Sequence, residues 1–139
     1  LHFKLPDDPL RLRVIIGCGA DYMLGGDKRF DYILVDGFDG NARAGVLDTL
    51  PFYQACRARL TANGLMTLNL LGRSRGFQAS AGRIENAFDG RSLVFPSCDS
   101  GNTIAVATAM ALTGVDLITD PHLVADVQDE FARAKAARA

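Results

Sequence analysis

The sequence predicts an α/β fold in which helices pack on a mostly parallel sheet. Short apolar runs at 14–16, 32–35 and 65–71 each end at glycine or at a polar residue beside glycine, as strands buried in a parallel sheet do. Helix-compatible segments alternate with them, which places helices on the faces of that sheet. With 139 residues and 48% hydrophobic composition the chain has material for one core and reads as a single domain over 1–139.

Each element has its own signal. Val14-Ile15-Ile16 stops at Gly17 and is predicted as a strand buried on both faces, followed by a loop or short helix. Tyr32-Ile33-Leu34-Val35 repeats the pattern and delivers Asp36-Gly37 to a strand end. Asp48 or Thr49 then caps a helix with Pro51 in its first turn. Leu50, Tyr53, Cys56, Ala58 and Leu60 form its apolar face, and Asn63-Gly64 stops it. Leu65–Leu71 reads as a third strand, and Phe77–Phe88 as a helix weakened by Gly82 and closed by Asp89-Gly90. Leu93–Phe95 and Thr103–Ala107 flank a turn-rich segment and predict a hairpin at a sheet edge. From Asp120 onward the chain reads helical, with Leu123, Val127 and Phe131 on one side and a fraying Ala/Arg/Lys tail.

Composition removes several classes of function. Fifteen basic against sixteen acidic residues, with no basic run, give no electrostatic basis for a nucleic-acid or anionic-membrane partner. Two histidines and three scattered cysteines show no metal-ligand spacing, so no metal is expected. The odd cysteine count argues against a complete disulfide framework and fits a reducing cytoplasm. No apolar run approaches the roughly 20 residues needed to cross a bilayer.

Ligands in open α/β sheets sit beyond the C-terminal ends of the strands, which singles out three loops: Gly17-Cys18-Gly19-Ala20, Asp36-Gly37-Phe38-Asp39-Gly40 and Asn69-Leu70-Leu71-Gly72. Asp36 and Asp39, three residues apart in a glycine-flanked loop, have the spacing to converge on one cationic group. The same spacing also suits two aspartates that do no more than form turns.

The run from Asp8 to Tyr22, with Gly17-Cys18-Gly19-Ala20 at its centre, then Phe30–Asp36, then Pro51-Phe52-Tyr53, resembles spermidine synthase, the polyamine aminopropyltransferase family. The resemblance extends roughly from Asp8 to Ala107. It implies a Rossmann-like, class I methyltransferase-type domain of which this chain is the C-terminal half, with the N-terminal strands missing. It further implies transfer of an aminopropyl group from decarboxylated S-adenosylmethionine to a putrescine-like diamine. Asp36 and Asp39 match the family's Asp-x-x-Asp positions, Asp36 as proton acceptor and Asp39 as the anchor of the amine. Cys18, Gly19, Ala20 and Gly37 would border the nucleoside, with Cys18 standing where the family carries an adenine-binding aspartate.

Cys18 by itself also reads as a small buried hydrophobe. Gly37-Phe38-Asp39-Gly40 replaces the family's Ser/Thr-Asp-Pro after the first aspartate, so Phe38 would reshape the acceptor pocket. The family's Gly-rich nucleoside loop and ribose-binding acidic residue have no counterpart here. The expectation is therefore a chain inactive by itself and self-associating through an open sheet edge. A small-molecule methyltransferase using S-adenosylmethionine, and a non-catalytic synthase-like module, are the alternatives. His122 reads as a surface or capping residue, Arg73 and Arg75 as a solvated loop, and Asp99 as turn chemistry.

Overall fold

The computed structural model describes residues 7–38, 44–72, 76–99 and 101–109. Their order is α1 (Gly19–Leu24), β1 (Phe30–Val35), a 3-10 turn (Gly45–Asp48), α2 (Leu50–Ala58), β2 (Leu60–Leu71), α3 (Phe77–Ala87), β3 (Ser92–Val94) and β4 (Asn102–Thr108). The strands lie in the order β1-β2-β4-β3. β1 and β2 run parallel, while β4 is antiparallel to both β2 and β3. The described sheet is thus mixed, because the predicted hairpin puts its second strand against β2 and leaves β3 at the edge.

Local chemistry sets the helix ends. Thr49 is extended at the α2 N-cap; its Oγ1 accepts from the Phe52 amide at 3.4 Å and donates to the Val46 carbonyl at 2.9 Å. After α3, Asp89 (φ 52°) and Gly90 (φ 78°) turn the chain left-handed, and the Gly90 amide closes on the Glu85 carbonyl at 2.8 Å.

Two boundaries differ from the sequence reading. The helix stops at Ala58, and Leu60 already pairs with Phe30 across the sheet, so Leu60 belongs to β2 and not to the helical apolar face. Asn63-Gly64 lies in the irregularity between the Phe30↔Leu60 and Tyr32↔Leu65 pairs. Gly64 is required there, since a Cβ would press on Leu60 and on the Phe30 carbonyl oxygen.

Val14-Ile15-Ile16 is not a strand. The three residues join no ladder and lie exposed, Ile16 at 93%. A parallel strand needs hydrogen-bonded neighbours and covered faces, and no described strand lies beside this run. The free edge of β1 is unpaired among the described residues for the same reason.

The core lies between one sheet face and the helices. Met66, Leu68 and Leu70 alternate inward along β2 and meet Tyr53 and Cys56 of α2, Ile84 of α3, Phe88, and Ala105 and Ala107 of β4. On the opposite face Tyr32, Leu34 and Ile104 are exposed. The predicted helix from Asp120 lies outside the described residues.

Candidate active site

Parallel pairing of β1 with β2 brings Val35 opposite Leu68, so Asp36, just past the end of β1, comes beside Asn69, which is still in β2 and pairs with Ile104 of β4. Asn69 Nδ2 donates to Asp36 Oδ1 at 3.1 Å. Asn69 Oδ1 is buried and has no hydrogen-bond partner among the described residues. The two residues border a cavity of about 570 Å³ whose walls include Leu34, Thr67, Phe95 and Ile104. Asp36 is exposed and contributes the carboxylate, and the rest of the lining is apolar or neutral, so a cationic nitrogen entering here meets one anion.

The Gly17–Ala20 loop borders a second cavity, of about 320 Å³, with Ile15 and Tyr22 as apolar walls and Arg13 and Cys18 at its rim. Cys18 is extended at the N-cap of α1 and exposed, not a buried hydrophobe as its type suggested. Ala20 alone of this loop is buried. The apolar walls and the bare backbone at Gly17, beside which nothing lies within 4 Å, suit the flat face of a purine. The Cys18 thiol does not suit its amino group, being a weak acceptor.

Leu47, in the 3-10 turn, lies between the two loops. A Cβ on Gly37 would come within 2.7 Å of Leu47 Cδ1, and one on Gly19 within 3.4 Å of Cδ2. Behind Leu47, Asp48 accepts from Tyr53 Oη at 2.7 Å, from Ser80 Oγ at 2.7 Å and from Arg83 Nη2 at 2.5 Å. Burial, and then the bond to Asp48, push the Tyr53 phenol far above its ordinary value.

Of the residues the sequence singled out, Asp36, Gly37, Cys18, Gly19 and Ala20 sit on the two loops that Leu47 joins, whereas Asp39, Arg73, Arg75 and His122 lie outside the described residues. Asp99 is exposed in the turn that Gly101 closes onto the Cys98 carbonyl at 2.8 Å. Sequence reasoning counted Asn69, Leu70 and Leu71 in a loop beyond a strand end as well as in the strand, whereas their pairing with β4 keeps them in β2, and it missed Asn69 as the partner of Asp36. It also missed Leu47 and the acceptor role of Asp48, for which no local pattern exists. Among the described residues no group of three or more His, Cys, Asp or Glu side chains gathers as metal ligands do, and no helix is long and apolar enough to cross a membrane.

Over 105 residues, 76% of this chain, the sequence is 32% identical to polyamine aminopropyltransferase from Neisseria meningitidis serogroup A and 31% identical to that of Chromobacterium violaceum. Over this part of its length the chain is similar to polyamine aminopropyltransferases. It spans 40% of the length of these curated relatives. No protein-family model matches it. Among solved structures, a spermidine synthase in complex with the transition-state analogue AdoDATO superposes with a TM-score of 0.61 at 29% identity, covering 74% of this chain and 38% of that one. The Thermotoga maritima spermidine synthase gives 0.57 at 28% identity, over 74% of this chain and 36% of its own. Human methyltransferase-like protein 13 in complex with SAH, at 22% identity and a TM-score of 0.64 over 91% of this chain and 62% of its own, shares the fold. The Rossmann-like, methyltransferase-type architecture is common to all three, and the aminopropyltransferase relatives are transferases.

Proposed function

We propose that this domain serves aminopropyl transfer from decarboxylated S-adenosylmethionine to a small amine. The observation that carries the reading is the placement of Asp36, just past the end of β1, held by Asn69 of the parallel strand β2 and open to a 570 Å³ cavity, in a chain 32% identical over 105 residues to a polyamine aminopropyltransferase. The nucleoside lies against Ile15, Tyr22 and the Gly17–Gly19 backbone, with Ala20 behind it, and Gly37, which shares Leu47 as a neighbour with Gly19, borders it from the next loop.

An alkylamine with a pKa of about 10.4 is almost wholly protonated at neutral pH and must lose a proton to attack. The nitrogen lone pair forms the new N–C bond to the aminopropyl carbon as the C–S bond of the sulfonium breaks. Sulfur keeps the electron pair and leaves as a neutral thioether. Asp36 takes the proton from nitrogen, and Asp39 anchors the amine in line. Self-association belongs to the same proposal, as does cytoplasmic residence.

The chain spans 40% of its relatives' length, so ligand binding and turnover are tested separately. Calorimetric titration of the 139-residue chain with 5′-methylthioadenosine and with putrescine is expected to show weak binding of each, and mixing the chain with decarboxylated S-adenosylmethionine and putrescine to give no product. Failure of the protein as encoded in full to form an aminopropylated amine would overturn the reading. In that case product formation from S-adenosylmethionine instead would establish the methyltransferase alternative, which the shared fold supports.

A further inference from the structure

Leu47 and Asp48 follow each other in the 3-10 turn Gly45–Asp48, and their side chains serve opposite directions. Leu47 touches the places where side chains would begin on Gly19 and on Gly37, at 3.4 and 2.7 Å. It therefore occupies the space between the loop that opens α1 and the loop that follows β1. Asp48 faces the helices, where α2 supplies the Tyr53 hydroxyl and α3 supplies Ser80 and Arg83, all three donating to one carboxylate. The carboxylate is half-buried, and such charge-assisted bonds to two separate helices fix the turn against the body of the domain.

We infer that Asp48 is a positioning residue of the cleft: by tying the turn to α2 and α3 it holds Leu47 as a spacer that sets the separation of the Gly19 and Gly37 loops. The inference rests on the proposed function in so far as those loops hold nucleoside and amine. The physical reason is that both loops lack side chains of their own at the contact. Gly19 and Gly37 offer bare backbone, and a branched side chain between them defines how close they come. Neither loop shares a strand ladder with the other among the described residues, since Val14-Ile15-Ile16 is not paired to β1.

A double-mutant cycle on the chain tests the contact. Gly37→Ala should lower the folding equilibrium constant by about fivefold or more in the parent, because its new Cβ meets Leu47, and by less than about twofold in a Leu47→Ala background, where that space is open. Asp48→Asn, which keeps the shape and removes the charge facing Arg83, should move the backbone amide resonances of Gly19 and Gly37 together. Ile84→Val, a core change remote from both loops, should lower stability while leaving those resonances in place. If Asp48→Asn does not fold, Tyr53→Phe and Ser80→Ala remove one donor each, and both should shift the same two resonances by smaller amounts. Equal costs of Gly37→Ala in both backgrounds, or unmoved Gly19 and Gly37 resonances in the Asp48, Tyr53 and Ser80 variants, would overturn the inference. The parent's failure to bind 5′-methylthioadenosine would instead count against the proposed function, and would leave the cycle and the resonances readable.

Discussion

Asn69 donates its side-chain amide to Asp36 over 3.1 Å, and this bond ties the residue that follows β1 to the C-terminal part of β2. It orients the carboxylate with a neutral donor and so leaves its charge uncancelled. In the protein as encoded in full, Asp36→Asn is expected to cut turnover by about 10² to 10⁴-fold with little change in nucleoside binding. Asn69→Ala removes one hydrogen bond of about 1 kcal/mol, which corresponds to about fivefold in rate. Steady-state kinetics of the two variants check this; losses within about threefold for Asp36→Asn would reduce the aspartate to a turn former.

Arg59 is a buried cation with no carboxylate partner among the described residues. Its guanidinium donates to the Lys28 carbonyl at 2.9 Å and to the Tyr22 carbonyl, and lies 5.0 Å from the ring centroids of both Tyr22 and Phe30. It thereby closes the last turn of α1 onto β1. Gly26 must stay bare beside it, since a Cβ would come within 2.8 Å of the guanidinium nitrogens. Arg59→Met should cost on the order of 2–3 kcal/mol in urea unfolding, from orphaned carbonyls and lost cation–π contact. Arg59→Lys should recover little of it, because a point charge cannot reproduce the planar fork.

Cys56 is fully buried in α2, and burial pushes its thiol up to about 12 from the ordinary 9.0. Its stabilising effect is complete below the unfolded value near 9 and is lost as pH rises toward 12, because the unfolded chain releases the proton first. Tyr53 acts in the same direction above 10.0. Midpoints of thermal unfolding should therefore fall as pH rises from 9.0 toward 12, and less steeply in Cys56→Ala. A thiol reagent near neutral pH should label the exposed Cys18 in the native chain and reach Cys56 only on unfolding.

At the acid end the exposed Asp89 acts oppositely. The hydrogen bond from Arg57 holds its carboxyl below 3.8, so the Arg57–Asp89 contribution is complete above that value and fades as pH falls through the lowered one. Asp89→Asn should remove a small part of the stability lost below about pH 4 and leave the alkaline fall in unfolding midpoint unchanged.

Gly72 closes against the β4 end, with its amide 3.0 Å from the Gly101 carbonyl. A Cβ there would collide with the hydroxyls of Ser97 and Thr103, which are bonded to each other at 2.8 Å. Gly72→Ala should destabilise by about 1–3 kcal/mol through overpacking, read as a shifted urea midpoint at constant slope.

The order of elements was legible in the sequence because each carries a local signal: Thr49 and Pro51 open α2, Asp89-Gly90 closes α3, and the apolar alternation in β2 gives its buried face. Asp36 was legible too, as a carboxylate at the end of an apolar run. What the tertiary structure decided is what depends on neighbours distant in sequence. Apolarity alone cannot say whether Val14-Ile15-Ile16 finds a hydrogen-bonding partner, and among the described residues it finds none. The register of β1 on β2 chose Asn69 as the partner of Asp36 from 33 residues away, and packing of α2 on α3 gathered Tyr53, Ser80 and Arg83 around Asp48. Local patterns fix backbone conformation one segment at a time, whereas side-chain partners follow from the docking of segments, which burial of the shared core imposes only once the chain is folded.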